Sequence, residues 1–270
     1  MSDTKSRRTM SRRSILASVV AIALACMPAG ATGAQRVRLT ANFSPNELGK
    51  LTTVTTGFTI EVPNGQLPSP VARFDLQLPT GVTIGASSLG LATCVPLTLA
   101  RDGLGACSPE SVMGRGDALV GIDFGPEVVY EHARITLLMA PAASGHTQIM
   151  FYAVGASPVI AQLMFPSLLL DDAGPFGGRL DTSIAPIAGF PGGSNGAIVK
   201  LTSSIGPRGV IYYKRVHGRR VAYTPEGFTE PPTCPRGGFP FEATFAFEDG
   251  SNETVTVHAP CPAARQQAHH

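Results

Sequence analysis

Phe239-Pro240-Phe241-Glu242-Ala243-Thr244-Phe245-Ala246-Phe247, followed by Glu248-Asp249-Gly250 and then Thr254-Val255-Thr256-Val257-His258, is the stretch whose reading decides the fold class. Phe239, Phe241, Ala243, Phe245 and Phe247 share one parity, and Glu242, Thr244 and Glu248 share the other. An extended chain sends alternate side chains to opposite faces, so this is a strand with one buried, aromatic face. Asp249-Gly250 supplies the backbone freedom of a tight turn, and Thr254–His258 returns as the partner strand. A phenylalanine stripe of period two is ordinarily core.

Outward from this hairpin the same grammar recurs. Val37, Leu39, Ala41 and Phe43 alternate within Gln35–Phe43, and Leu51–Val62 follows after Ser44-Pro45-Asn46. Val71–Leu78 alternates and stops at Pro79-Thr80-Gly81. Val129, Ala133, Ile135, Leu137 and Met139 oppose Tyr130, His132, Arg134 and Thr136, the pattern of a sheet with one wet face. Thr147–Val154, Val159–Phe165, Gly178–Ile184, Ala197–Ile205, Val210–Val216 and Arg219–Tyr223 read as further strands. The expected fold is an all-β, antiparallel β-sandwich of about a dozen strands over residues 35–262. One domain is favoured over two smaller sandwiches split near 141–145.

The first 34 residues carry an address. Arg7, Arg8, Arg12 and Arg13 precede an apolar run from Ile15 to Met27, and small residues follow to Ala34. This order predicts a cleaved secretory signal peptide. Ser11-Arg12-Arg13-Ser14-Ile15-Leu16 resembles a twin-arginine export signal, an ordinary secretory leader being the alternative. Ala23-Leu24-Ala25 is a poor match to the site that precedes a lipidated cysteine, so anchoring at Cys26 is not expected. Removing residues 1–34 takes away five basic residues and one acid. The totals of 21 and 19 become 16 and 18, and the formal charge passes from +2 to −2. The basic balance belongs to the leader, so nucleic acid is not an expected partner. No transmembrane segment is expected in the mature chain, and residues 263–270 form a polar tail. The expected location is extracellular or cell-envelope.

Four cysteines follow the leader: Cys94, Cys107, Cys234 and Cys261. They allow three pairings. Nearness in sequence favours Cys94–Cys107 and Cys234–Cys261, and the second pair lies at the open end of the final hairpin. A four-thiolate metal site needs close C-x-x-C pairs, which are absent.

The sharpest candidate for binding is Tyr212-Tyr213-Lys214-Arg215-Val216-His217-Gly218-Arg219-Arg220. His217-Gly218 reads as a hairpin tip crowded by Lys214, Arg215, Arg219 and Arg220, with Tyr213 beside them. Between Thr182 and Pro225 there is no acid. Such a hairpin suits an anionic cell-envelope polymer; the alternative is a charged edge that resists strand-to-strand aggregation. Glu226, Glu230, Glu242, Glu248, Asp249 and Glu253 follow, so charge is segregated along the chain and weak self-association is expected. Asp171-Asp172 is the carboxylate pair a hydrolase would use, or a fragment of a calcium site. H-E-x-x-H does not occur, and His132, His146, His217 and His258 are scattered, so no catalytic residue, cofactor or metal is expected. Arg115-Gly116-Asp117 matches an integrin-binding tripeptide but sits among glycines with a structural look.

Three stretches carry a resemblance: Leu78-Pro79-Thr80-Gly81 leading to Cys94; Ala106-Cys107-Ser108-Pro109-Glu110-Ser111 with Gly114 and Gly116; and Cys234-Pro235-Arg236-Gly237-Gly238-Phe239-Pro240-Phe241. Together they resemble a group of exported, β-rich actinobacterial proteins, with a departure at Ser108, where proline is usual. The resemblance implies a secreted β-protein with paired cysteines and names neither ligand nor catalytic residue. The expected function is a non-enzymatic envelope protein of structural or adhesive kind; the alternatives are the anionic-polymer binding module and, third, a secreted hydrolase.

Overall fold

Alternating sequences become strands only when their apolar faces meet, and here they meet across a sheet that curls onto itself. The computed structural model describes residues 35–263 apart from 85–88, 126, 158–160, 173 and 190–192. The expected leader over 1–34, with Arg12, Arg13 and Cys26, and the tail from 264 onward lie outside the described residues.

The strands are β1 (Arg36–Ser44), β2 (Leu51–Glu61), β3 (Val71–Pro79), β4 (Thr83–Ile84), β5 (Val112–Asp123), β6 (Val128–Ala143), β7 (His146–Gly155) and β8 (Ala161–Asp171). They continue with β9 (Phe176–Ser183), β10 (Ala197–Ile205), β11 (Tyr212–Val216), β12 (Arg219–Tyr223), β13 (Phe228–Thr229), β14 (Phe239–Phe247) and β15 (Asn252–Ala259). One short helix, α1 (Pro96–Asp102), interrupts them.

The main sheet runs β15-β14-β3-β9-β8-β7-β6-β5-β10-β2, with β1 on the free edge of β2 and short β13 and β4 continuing at one end. Its ladders are antiparallel, as expected. β1 then comes alongside β15 without a ladder. Side chains span that seam: Gln35 Nε2 donates to Ser251 Oγ at 3.1 Å, and Asn46 Nδ2 donates to the Pro260 carbonyl at 3.0 Å. The result is a nearly closed barrel, flattened so that opposite walls pack as a sandwich does.

The walls meet through the phenylalanine stripe. Phe239, Phe241 and Phe245 of β14 are fully buried. Phe43 of β1 meets the rings of Phe239 and Phe241 at 5.1 and 5.7 Å, and Phe58 of β2 meets Phe245 edge-on at 4.9 Å. Phe74 of β3 stacks on Phe245 at 6.0 Å. A cavity of about 30 Å³ lies among Thr56, Phe58, Thr182, Ser203 and Phe245. It has room for water but not for an organic ligand.

Chain topology sorts the connections. One end of the barrel carries tight or plain links, among them the β14–β15 turn. The other end carries the cysteine-bearing segments: the 85–111 stretch between β4 and β5, everything from β10 to β14, and the chain leaving β15. Cys94 and Cys107 are bonded there, Cα atoms 5.2 Å apart, as are Cys234 and Cys261 at 5.8 Å. The second bond clamps the mouth of the β14–β15 hairpin, beside the Phe239–Ala259 pair. The first staples a flap in which Leu99 of α1 is fully buried against Leu138, Met150 and Tyr152 on the outer side of β6 and β7. The wet face expected on β6 therefore ends near Thr136, where the flap begins to cover it.

One strand lies where the alternation marked none. Residues 112–123 lie outside the expected strands. They form β5 between β10 and β6. The glycines are what the site demands: a Cβ on Gly114 would lie 2.0 Å from the Ser204 carbonyl oxygen, and one on Gly116 2.3 Å from that of Thr202. Arg115-Gly116-Asp117 is thus mid-strand, not a loop tip. Pro141–Gly145, the alternative domain boundary, spans the end of β6 and its turn into β7.

Truncating the stripe tests its role. Phe245→Ala should lower the free energy of unfolding by about 3–5 kcal/mol, read by denaturant titration.

Candidate functional site

β11 and β12 stand apart as a two-stranded ribbon that pairs with no other described strand. Such a ribbon is marginal by itself, and it needs an anchor. Tyr212 supplies it. The side chain is 1 % exposed; its hydroxyl donates to the Val112 carbonyl and accepts from the Gly90 N–H at 3.1 Å. Burial pushes the phenol's pKa above its ordinary value, against the opposing effect of the Gly90 N–H, so the hydroxyl stays a donor. Tyr223 packs edge-on against Tyr212 at 5.8 Å. At the far end His217 (φ 48°) and Gly218 (φ 77°) make the expected tip, both residues in the left-handed region that a two-residue turn of this type requires.

The register distributes the cations over two faces. Tyr213, Arg215, Arg220 and Ala222 share one, and Tyr212, Lys214, Val216, Arg219, Val221 and Tyr223 share the other. Arg215 lies directly opposite Arg220. The Arg220 guanidinium sits 3.9 Å from the Tyr213 ring centre, and the Lys214 ammonium 4.9 Å from that of Tyr223. Like charges placed opposite each other repel, and cation–π contact only partly offsets that. Among the described residues none of these four cations forms an ion pair. A guanidinium held over a ring, as that of Arg220 is, suits bidentate contact with carboxylate or phosphate. The residues expected to act together are thus neighbours on one arm, but Lys214 and Arg219 face away from Arg215 and Arg220.

Among the described residues none of the later acids forms an ion pair with the arm. Glu248, Asp249 and Glu253 lie at the opposite end of the barrel, where Glu248 accepts from Asn195 and Asp249 closes its own turn through Ser251. Glu230 is fully buried near β13. Its Oε2 accepts from the Glu47 N–H at 2.7 Å, and its Oε1 has no hydrogen-bond partner among the described residues. Burial pushes its pKa up, against the Glu47 N–H, with the Glu47 carboxylate adding to the rise. On the outer face of β3 and β9, Asp75 lies directly opposite Asp181. Its pKa is also raised, by burial first, against the pull of Arg73 at 3.5 Å. Nothing in the sequence pattern marked either carboxyl as unusual, because both positions read as turn or outward-facing sites.

The other candidates do not converge. Asp171 is the exposed last residue of β8, in a strand rather than a loop, and Asp172 accepts from Gln77 Nε2 at 2.7 Å. A groove of about 800 Å³ on β5 and β6 includes Asp117, Tyr130, His132 and Arg134. His132 and Asp117 are not hydrogen-bonded to each other there, since the register sets His132 opposite Leu119 and Asp117 opposite Arg134. Among the described residues no group of three or more His, Cys, Asp or Glu is placed to hold a metal ion.

Glu230 yields a signed expectation. A carboxyl whose pKa is raised by folding stabilises the native state below its unfolded value, near 4.5, and that contribution is lost as pH rises through the folded value. Glu230→Gln mimics the protonated form, so its stability relative to wild type should climb as pH rises above 4.5. Thermal unfolding across that range checks this; a pH-independent difference would contradict it. Comparison of the chain with protein-family models, with curated proteins and with solved structures returned no match.

Proposed function

We propose that the chain is an exported, cell-envelope-associated β-protein of structural or adhesive kind, without an enzymatic role, and that its β11–β12 arm meets an anionic envelope polymer. The observation that carries this reading is Arg215 set opposite Arg220 on a ribbon whose four cations have no described carboxylate partner. A charged edge protecting against aggregation needs only scattered charge. It does not need a moored ribbon with facing guanidiniums, which costs electrostatic free energy until an anion lies between them. Paired cysteines suit an oxidising compartment, and the leader read from residues 1–34 agrees with one.

Retention on immobilised polyphosphate and on purified wall material tests the reading. Wild type should be held at low salt and released as salt rises. The variant K214Q/R215Q/R219Q/R220Q should lose retention by about tenfold or more. Equal retention of the two proteins would overturn the proposal. Unchanged thermal unfolding of the variant is the control, since the four side chains are exposed.

A further inference from the structure

All but two of the large hydrophobic side chains exposed among the described residues belong to the arm end of the barrel; Val128 and Tyr130 are the exceptions. Scattered single exposures need no explanation, but their concentration at one end does. Leu97 is the most exposed, at 73 %, followed by Ile211 at 58 % and Val95 at 50 %. Leu97 is also held there. It rides on α1, whose other side is fixed by fully buried Leu99 and whose flanks are joined by the Cys94–Cys107 bond. The helix is unable to roll the leucine inward without giving up Leu99.

On the arm the apolar and charged groups interleave. Val216 and Val221 are exposed on the same face as Lys214 and Arg219. Flap and arm are neighbours at their roots, because the Tyr212 hydroxyl bonds to Gly90, just before the flap, and to Val112, just after it. Aliphatic tips interspersed with cations are the chemistry of a surface that lies in a lipid interface. The tips enter the boundary between headgroups and acyl chains, and the cations meet headgroup phosphates. A soluble polyanion leaves the aliphatic tips in water. A second copy docked arm against arm sets four cations against four more, which opposes association.

We infer that the arm end docks on an anionic lipid surface, with Leu97, Val216 and Val221 entering the interface and Lys214 and Arg219 at the phosphates. This rests on the preceding reading in one respect, that the arm end is the end facing the envelope.

Co-sedimentation with vesicles of phosphatidylglycerol and phosphatidylcholine, against phosphatidylcholine alone, tests the inference. Wild type should sediment with the anionic vesicles and at least about tenfold less with the neutral ones. L97S/V216S/V221S, which keeps every cation, should bind the anionic vesicles about tenfold less while holding immobilised polyphosphate as wild type does. The chain has no tryptophan, so Leu97→Trp places a lone indole at the flap. Its emission should move to the blue on anionic vesicles. Absence of sedimentation, an unshifted indole or full binding by the serine variant would each overturn the inference. Polyphosphate retention without vesicle binding removes the lipid contact and leaves the polymer reading standing; vesicle binding without polymer retention does the reverse.

Discussion

Everything else in this structure depends on the aromatic contact between β14 and the strands it faces. A sheet of this length has two raw edges and one apolar face, and neither is tolerable in water. Phe239, Phe241 and Phe245 resolve both problems together. Their rings reach Phe43 on β1 and Phe58 on β2, which belong to the far end of the strand order, and so draw the two edges side by side. The Cys234–Cys261 bond then holds the mouth of the hairpin that carries the stripe. Among the described residues the cavity between these walls is water-sized, and the side chains around it pack as a core.

The two rims of the barrel differ. One is spanned by plain links, with Glu248, Asp249 and Glu253 at the β14–β15 turn. The other holds both disulfides, the flap with α1, buried Glu230 and the arm. The arm is the least self-sufficient part of the fold: a ribbon moored through Tyr212, with repelling guanidiniums and open backbone edges. Such features are disfavoured in an isolated molecule and become favourable against an anionic surface. The barrel on which the arm is moored would give the proposed contact a fixed direction.

Much of this was legible in the residues. Period-two alternation in β1, β3, β6, β14 and β15 reflects one face in the core and one in solvent, and where that holds the pattern is unambiguous. The His217-Gly218 tip and the Cys234–Cys261 clamp followed from turn chemistry and nearness. β5 was hidden because its glycines answer to the close approach of the β10 backbone, a tertiary demand that local propensity does not record. α1 was hidden because its seven residues are too few for a helical period, and one buried leucine with a disulfide holds it. At the candidate site the cations were visible, but their division between two faces depends on register, and the mooring of Tyr212 depends on Val112 and Gly90, both far away in sequence. Glu230 gave no signal, since burial of a carboxyl in a proline-bounded turn is decided by what packs over it.

We propose that the arm is where this protein meets an anionic partner. Backbone hydrogen exchange with and without added wall polymer tests it most directly, because the ribbon's open edges leave its amides free to report. New protection is expected over residues 212–223, with the amides of β14 and β2 already slow and unchanged. Protection at the groove of Tyr130 and His132 with none on the arm would contradict it.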